Sequence, residues 1–230
     1  MNAFSFALKP AKPRSRTSQN LSKTLLRSVS NIIRIFVIVS LTACSTLPEF
    51  SSSKPTITYS PSNHEAYLTQ LNNWQVTGKI ALISDESRES ASLFWQNQPY
   101  KQQEKLALTT YLGINVLSIE RNNKQYQITF NDETHEHHDL EHLLWGVSGY
   151  QLPAKALKNW LKGLPNSKKD KVTLMSGKET PFEIVSHYKG LTWVIRYQSF
   201  MNVDGVPLPQ KISIKQNNLT IKLSINQWII

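Results

Sequence analysis

Residues 211–228 read KISIKQNNLTIKLSINQW, and their pattern predicts the fold class of the chain. In the second half Ile221, Leu223 and Ile225 alternate with polar residues, as expected for a strand with one buried face. The pair Asn217-Asn218 separates this run from a second alternating run, and asparagine tolerates the positive φ angles of hairpin turns. The stretch therefore predicts an antiparallel β-hairpin.

The same alternation occurs through much of the preceding chain. Ile80 and Leu82 alternate with Ala81, and two more hairpins are predicted around Asn122-Asn123-Lys124 and Lys189-Gly190. We therefore expect a curved antiparallel sheet of about ten strands. A sheet of this size tends to curl toward a barrel, and small barrels commonly enclose apolar ligands.

Three segments have helical spacing instead. Residues 63–74 are predicted to form the first helix, and Asp139 is placed to cap a second one that ends at Gly149. Pro153 begins a third, which Gly163 ends. The expected class is mainly β with helices (α+β), with the helices packed across one opening of the sheet.

The amino-terminal region predicts a cleaved leader, residues 1–43. It contains no Asp or Glu, and the apolar run Ile35-Phe36-Val37-Ile38-Val39 is too short to span a bilayer. Its basic residues are Lys9, Lys12, Arg14, Arg16, Lys23, Arg27 and Arg34. Leu41-Thr42-Ala43-Cys44 resembles the lipobox of bacterial lipoproteins, which implies diacylglycerol and an N-acyl chain on Cys44.

A flexible tether is expected from residue 44 to residue 62, before a folded domain at 63–230. Ser45 to Ser62 is rich in serine and proline. By the usual bacterial sorting rule, Ser45 after the acylated cysteine permits passage to the outer membrane. The alternative for Cys44 is a free or buried thiol.

Charge argues against nucleic-acid binding once the leader is removed. The whole chain has 26 Lys and Arg against 16 Asp and Glu, and losing seven basic leader residues leaves 19 against 16. The mature net charge is then only about +3, too small for the basic surface that phosphate binding needs. We expect no nucleic-acid partner.

Enzyme motifs are weak. His138 and His142 have the spacing of metal ligands on a helix, but no clear third ligand accompanies them. Gly146-Val147-Ser148-Gly149 does not fit the Gly-x-Ser-x-Gly nucleophile elbow, because the second glycine comes one position early. We therefore expect no enzyme activity, no metal and no cofactor.

Several stretches of the mature chain together match one known family. They are residues 74–81 (WQVTGKIA), 94–96 (FWQ), 106–113 (LALTTYLG), 152–165 and 226–229 (NQWI). In order and content they resemble the LolB family of outer-membrane lipoprotein receptors of Gram-negative bacteria. The resemblance implies a half-open antiparallel β-barrel with a helical lid and an apolar cavity for acyl chains.

It also implies a function. A protein of this family would be lipid-anchored in the outer membrane, facing the periplasm, and would accept triacylated lipoproteins from the periplasmic carrier LolA. It would then insert them into the inner leaflet, in contact with outer-membrane phospholipid. No Gly-x-x-x-x-Gly-Lys-Ser/Thr stretch is present, so the handover is expected to be passive, by a monomer.

The candidate membrane-insertion loop contains Tyr111, Leu112 and Gly113. A tight turn normally has small or polar residues at its tip, so a Tyr-Leu pair there predicts an apolar contact. In the family the corresponding leucine is important for placing cargo into the membrane. The alternative is that Leu112 folds back onto the core.

Alternation also nominates residues that line an acyl cavity, although ordinary core packing is the alternative for each of them. The strand candidates are Leu106, Leu108, Ile128, Phe130, Trp193, Ile195, Ile221 and Leu223, with Leu144 and Trp160 as helical cover.

Two other functions remain open from sequence. The chain could bind a different hydrophobic ligand, which would not require an apolar loop tip. It could also be a structural or interaction lipoprotein of the outer membrane that binds proteins through a sheet edge.

Overall fold

The structure is a computed structural model that describes residue 55, residues 57–122 and residues 124–230. The predicted leader, Cys44 and most of the predicted tether lie outside these residues. The side chain of Asn122 is also not described.

Within the described residues, three α-helices accompany eleven strands. The helices are α1 (His64–Gln70), α2 (Leu140–Ser148) and α3 (Ala154–Lys162). The strands are β1 (Trp74–Ile83), β2 (Arg88–Gln98), β3 (Gln103–Thr109), β4 (Asn115–Asn122), β5 (Gln125–Phe130), β6 (Glu133–His137), β7 (Lys171–Leu174), β8 (Pro181–Tyr188), β9 (Leu191–Val203), β10 (Val206–Gln216) and β11 (Leu219–Ile229).

All eleven strands form one antiparallel sheet in the order β6-β5-β4-β3-β2-β1-β11-β10-β9-β8-β7. Each strand pairs with its sequence neighbours, except that β6 and β7 do not pair with each other. In addition, β1 pairs with β11 and so joins the two ends of the domain at the sheet centre. The sheet does not close, because β6 and β7 remain as edges. The mainly β class and the open barrel are thus confirmed, with one strand more than the approximate count expected.

The predicted turns explain the strand pairing. Lys189 and Gly190 have φ angles of 50° and 79°, and Asn217 has a φ of 47°, the left-handed region that hairpin turns require. The hairpin between β4 and β5 is also present, although residue 123 in its turn is not described. Local turn chemistry therefore sets the register over most of the sheet.

The helix predicted over residues 63–74 is too long. Helix α1 ends at Gln70, where Leu71 leaves the helical region with a ψ of 86°, and Trp74 begins β1. The Trp74 ring packs edge-on against Trp95 at 5.2 Å and Trp228 at 6.0 Å between centroids. Burial among strand residues therefore overrides the helical spacing of Trp74.

Helices α2 and α3 form where they were predicted. The Asp139 carboxylate accepts a hydrogen bond from the Glu141 backbone N–H at 3.0 Å, which caps α2. Gly149 and Gly163 end α2 and α3 with φ angles of 69° and 85°. No helix in the described part of the chain is long and apolar enough to cross a membrane.

Two apolar clusters lie on the concave face of the sheet. The larger one joins α1 and α3 to the central strands around Trp74, Trp160 and Trp193. The smaller one packs α2 against β4 and β5 around Ile119 and Ile128. Helices α2 and α3 thus cover part of the concave face.

Candidate functional site

The loop between β3 and β4 carries a group of apolar side chains in solvent. Tyr111, Leu112 and Ile114 are 99%, 79% and 61% exposed. The turn beneath them is well formed: the Gly113 N–H donates to the Thr110 carbonyl at 3.0 Å, and Gly113 has a φ of 81°. Leu112 does not fold back onto the core. We call residues 110–114 the apolar loop.

An open apolar cavity of about 490 Å³ lies directly beside the apolar loop. Thr110 belongs both to the loop and to the cavity wall. The wall is formed by Ile80, Leu82, Ser84, Ser87, Glu89, Ser90, Ala91, Leu108, Thr110, Val116, Leu117, Phe130, Asn131, Val147, Ser148, Tyr150 and Leu219. The volume of the cavity lies within the range of roughly 300–1,000 Å³ that is usual for small-molecule pockets. We call it the loop-side cavity.

An irregularity in strand pairing shapes this cavity. Leu108 pairs with Leu117 but Thr109 pairs with Asn115, so Val116 has no partner across the ladder. Such a bulge re-aims side chains. Val116 and its neighbour Leu117 consequently both line the cavity, although adjacent strand residues normally point to opposite faces.

The ten predicted cavity residues fall at different depths. Leu108 and Phe130 line the loop-side cavity, while Leu106 is half-buried between the two clusters. Ile128 and Leu144 belong to the smaller cluster. The remaining five are closely packed in the larger cluster: Trp160, Trp193, Ile195, Ile221 and Leu223. Their proposed contact with acyl chains stays a prediction.

Sequence reasoning missed most of the wall. Ile80 and Leu82 showed the necessary alternation, and Val147 lies on the apolar stripe of α2, so these three carried a usable signal. The bulge at Val116 had no recognisable signal in the sequence. How deeply a strand side chain lies in the cavity depends on the register of the neighbouring strands. The sequence of a single segment does not contain that register.

Helix α2 is held across the concave face by a buried carboxylate. Glu141, 7% exposed, accepts hydrogen bonds from the Tyr188 hydroxyl at 2.9 Å and from the Lys155 backbone N–H at 3.2 Å. It also pairs with the Lys189 ammonium. Burial, together with the Glu141 contact, raises the pKa of the Tyr188 phenol. These contacts tie α2 to the β8–β9 hairpin.

Helix α3 is fastened by two other side chains. Lys158 pairs with the buried carboxylate of Glu104, which also accepts a hydrogen bond from the Trp95 indole at 3.1 Å. Lys162 donates to the carbonyls of Leu68 and Leu71 at 2.9 and 3.0 Å. Burial lowers the pKa of the Lys162 ammonium to about 8. These bonds fix α3 between the sheet and α1.

The histidine cluster does not present a metal site. His137 stacks on His138 and His142 with centroids 4.2 and 4.5 Å apart. Across residues 55, 57–122 and 124–230, no group of three or more His, Cys, Asp or Glu side chains is arranged to hold a metal ion.

Comparison with known proteins identifies the family that this arrangement matches. Residues 72–228 match the family model described as "Outer membrane lipoprotein LolB". This match includes the sheet, α2, α3 and the apolar loop.

Individual relatives agree. The outer-membrane lipoprotein LolB of Shewanella sp. (strain W3-18-1) is 27% identical over 209 residues, covering 91% of this chain and 93% of the relative. The protein of the same name from Pseudoalteromonas translucida is 30% identical over 176 residues, covering 76% and 84%. That of Vibrio cholerae is 27% identical over 173 residues, covering 73% and 82%.

Proposed function

Because the chain belongs to the LolB family of outer-membrane lipoproteins, with a role in lipoprotein localisation at that membrane, we propose that it is the receptor that accepts lipoproteins there. In this role it takes triacylated cargo from the periplasmic carrier LolA and inserts the cargo into the inner leaflet of the outer membrane. It does so without nucleotide hydrolysis, as a monomer held by the acylated Cys44.

One observation carries this proposal: the apolar loop and the loop-side cavity are adjacent. Leu112 is 79% exposed next to an open cavity of about 490 Å³. A protein that only stored a hydrophobic ligand would have no use for large apolar side chains in water beside its binding site. A protein that passes acyl chains into a bilayer needs both features in one place.

The energetics explain why such a receptor is required. Each methylene moved out of water contributes about 0.8 kcal/mol. Exposing three acyl chains of about fifteen methylenes each to water would therefore cost tens of kcal/mol. Cargo therefore has to move between covered sites. Each step of the transfer lowers the free energy if the cavity binds the acyl chains more tightly than the carrier does and the membrane holds them more tightly than the cavity does.

The cavity size fits a staged transfer. A volume of about 490 Å³ is typical of sites for one drug-sized ligand, so it would shelter part of a triacylated anchor. Val147 and Ser148 of α2, with Tyr150 just after the helix, form one side of the wall. We propose that movement of α2 enlarges the site when cargo enters.

The proposal is tested by replacing Leu112 in a liposome-transfer assay. Wild-type protein on liposomes should strip labelled lipoprotein from the carrier and deliver it to the bilayer. Leu112→Glu should take up cargo normally but insert it about tenfold or more slowly, because burying a leucine contributes about 1.5–3 kcal/mol and 1.4 kcal/mol is tenfold.

Tyr100→Glu is the matched control. Tyr100 is also 79% exposed, but it lies in the turn between β2 and β3, at the other end of the strands. This variant should insert cargo at the wild-type rate. Unaltered insertion by Leu112→Glu, or no cargo removal by the wild type, would overturn the proposal.

A further inference from the structure

Trp145 is the exposed member of the tryptophan set. The chain has six tryptophans, and Trp74, Trp95, Trp160, Trp193 and Trp228 are at most 5% exposed. Trp145, on α2, is 52% exposed. It contributes to neither apolar cluster. Its large apolar surface therefore lacks the packing role of the other five.

Sheet topology fixes the end at which the apolar loop lies. Because all neighbouring strands are antiparallel, alternate connections fall at the same end of the sheet. One end carries the connections 84–87, 110–114, 131–132, 189–190 and 217–218. The hydrogen bond between the side chains of Asn218 and Asp85 joins two of these turns directly. The apolar loop belongs to this end.

Trp145 belongs to the same end through its neighbours. It lines a small groove of about 250 Å³ together with Lys189, which lies in the turn between β8 and β9, and Leu191, the first residue of β9. Two residues further along α2, Val147 enters the wall of the loop-side cavity. In the sheet, β2, β1, β11 and β10 separate the strands of the apolar loop from β9. Helix α2 itself packs on β4 and β5, so Trp145 and Leu112 lie on different elements at this end.

The chemistry of this end suits a phospholipid interface. Tryptophan and tyrosine concentrate at the headgroup level of membranes, where an apolar ring and a polar group are both accommodated. Tyr111 is 99% exposed in the apolar loop, and Trp145 is half exposed on α2. The bilayer is within reach of a chain that belongs to a family of outer-membrane lipoproteins.

The charged side chains at this end are of both signs, with Arg88 and Lys215 beside the acidic residues, and form no basic patch for anionic lipid. Asp85, Glu86 and Asp132 are exposed there, and the Lys189 ammonium is paired with Glu141. Contact with the membrane therefore depends on aromatic and aliphatic surface. It should occur on zwitterionic phospholipid and persist in high salt.

We propose that Trp145 is a second membrane contact, which seats in the phospholipid interface and orients the loop-side cavity toward the bilayer while Leu112 inserts. This rests on the proposed function and specifies how the same end meets the membrane. With a second contact on a different element, the domain cannot tilt freely about the apolar loop.

Fluorescence on vesicles tests this contact. The mature lipidated protein is bound to phosphatidylcholine vesicles whose acyl chains carry bromine, which quenches nearby tryptophan. Wild-type emission should be quenched, and Trp145→Phe should lose most of that quenching, since the other five indoles are buried. Trp145→Phe should also slow cargo insertion several-fold, without changing uptake from the carrier.

A second exposed indole provides the matched control. In the Trp145→Phe background, Tyr100→Trp places an indole at the opposite end of the strands, and it should remain unquenched. Equal quenching of wild type and Trp145→Phe would overturn the inference. So would emission from Trp145 that responds to the carrier protein alone and not to vesicles.

The two proposals fail separately in this experiment. If cargo transfer by the wild type works but Trp145 is not quenched, only the inference about Trp145 is wrong. If Trp145 is quenched but no cargo moves from the carrier, the membrane contact stands and the receptor function is wrong.

Discussion

Among the glycines described in the structure, Gly78 has the least room for a side chain. Thr77 pairs with Gln227 and Gly78 with Ile225, so Asn226 is an extra residue in β11 and the strands approach closely. A Cβ at position 78 would lie 2.2 Å from the Ser224 carbonyl oxygen. The absence of a side chain there allows β1 and β11 to join the two halves of the sheet.

Gly78→Ala should therefore lower the free energy of unfolding by about 2 kcal/mol or more, because the backbone has to shift. Gly146→Ala is the control: that site, in helix α2, has open space around it and should gain about 0.5–1 kcal/mol from helix propensity. Urea unfolding measures both changes. A neutral Gly78→Ala would show that the close approach is not rigid.

Lys162 gives a pH dependence with a definite sign. Its pKa is about 8 in the folded protein against 10.5 for an ordinary lysine, so the unfolded chain binds more protons between these values. The contribution of Lys162 to the free energy of unfolding therefore rises with pH between about 8 and 10.5 and is absent below that range. A neutral amine keeps two N–H groups, enough for the carbonyls of Leu68 and Leu71.

Relative to Lys162→Met, the wild type should gain about 2 kcal/mol of unfolding free energy between about pH 7.5 and about pH 9.5. Denaturant unfolding of the two proteins at both pH values provides the comparison, and other titrating groups cancel in the difference. Parallel pH profiles would contradict a depressed pKa at this site.

Among single residues, sequence was informative where chemistry is local. The Tyr-Leu pair at a turn tip predicted an exposed apolar loop, and Leu112 is exposed. The burial of the Glu104 and Glu141 carboxylates could not be predicted from the sequence, because their partners Lys158 and Tyr188 are 54 and 47 residues away. Contacts across such separations depend on the finished fold.

At the level of elements, α2 and α3 differ in how they are held. Helix α3 is packed into the larger cluster through Ala156, Trp160 and Leu161. Helix α2 packs on the smaller cluster, and Glu141 joins it to the β8–β9 hairpin. Since Lys189 is 56% exposed, its ion pair with Glu141 contributes little. The partly buried hydrogen bonds from Tyr188 and from the Lys155 N–H hold α2 in place.

Glu141→Ala should therefore loosen α2 selectively. Losing the acceptor for two partly buried donors costs about 1 kcal/mol, and the amides of α2 should exchange hydrogen faster while those of α3 change little. Glu136→Ala, at an exposed position on β6, is the control. Equal protection of α2 in wild type and Glu141→Ala would rule out this fastening.

Element types were predictable because hairpin turns and helix caps are local signals. The end of α1 was wrong because Trp74 satisfies both a helical and a strand pattern until its partners Trp95 and Trp228 are known. The cavity wall was largely missed for a related reason. The bulge at Val116 arises from pairing between β3 and β4, not from either strand alone.

Across the described domain, the open sheet has one end that is suited to cargo transfer and two edges that are formed by short strands. Edge strands β6 and β7 have only five and four residues, which limits pairing with other chains. The two apolar clusters fill much of the concave face and leave the loop-side cavity open beside Leu112. Shelter for acyl chains is thus expected at the loop end, not throughout the interior.

Filling the loop-side cavity tests this central claim most directly. Ala91 lines the cavity on β2, and Ala91→Trp would occupy much of its volume, whereas Ser118→Trp adds the same ring on the opposite face of β4. The measurement is the fraction of labelled lipoprotein that each folded variant removes from the carrier. Ala91→Trp should remove several-fold less than wild type and Ser118→Trp the same amount; wild-type uptake by Ala91→Trp would contradict the role of the cavity.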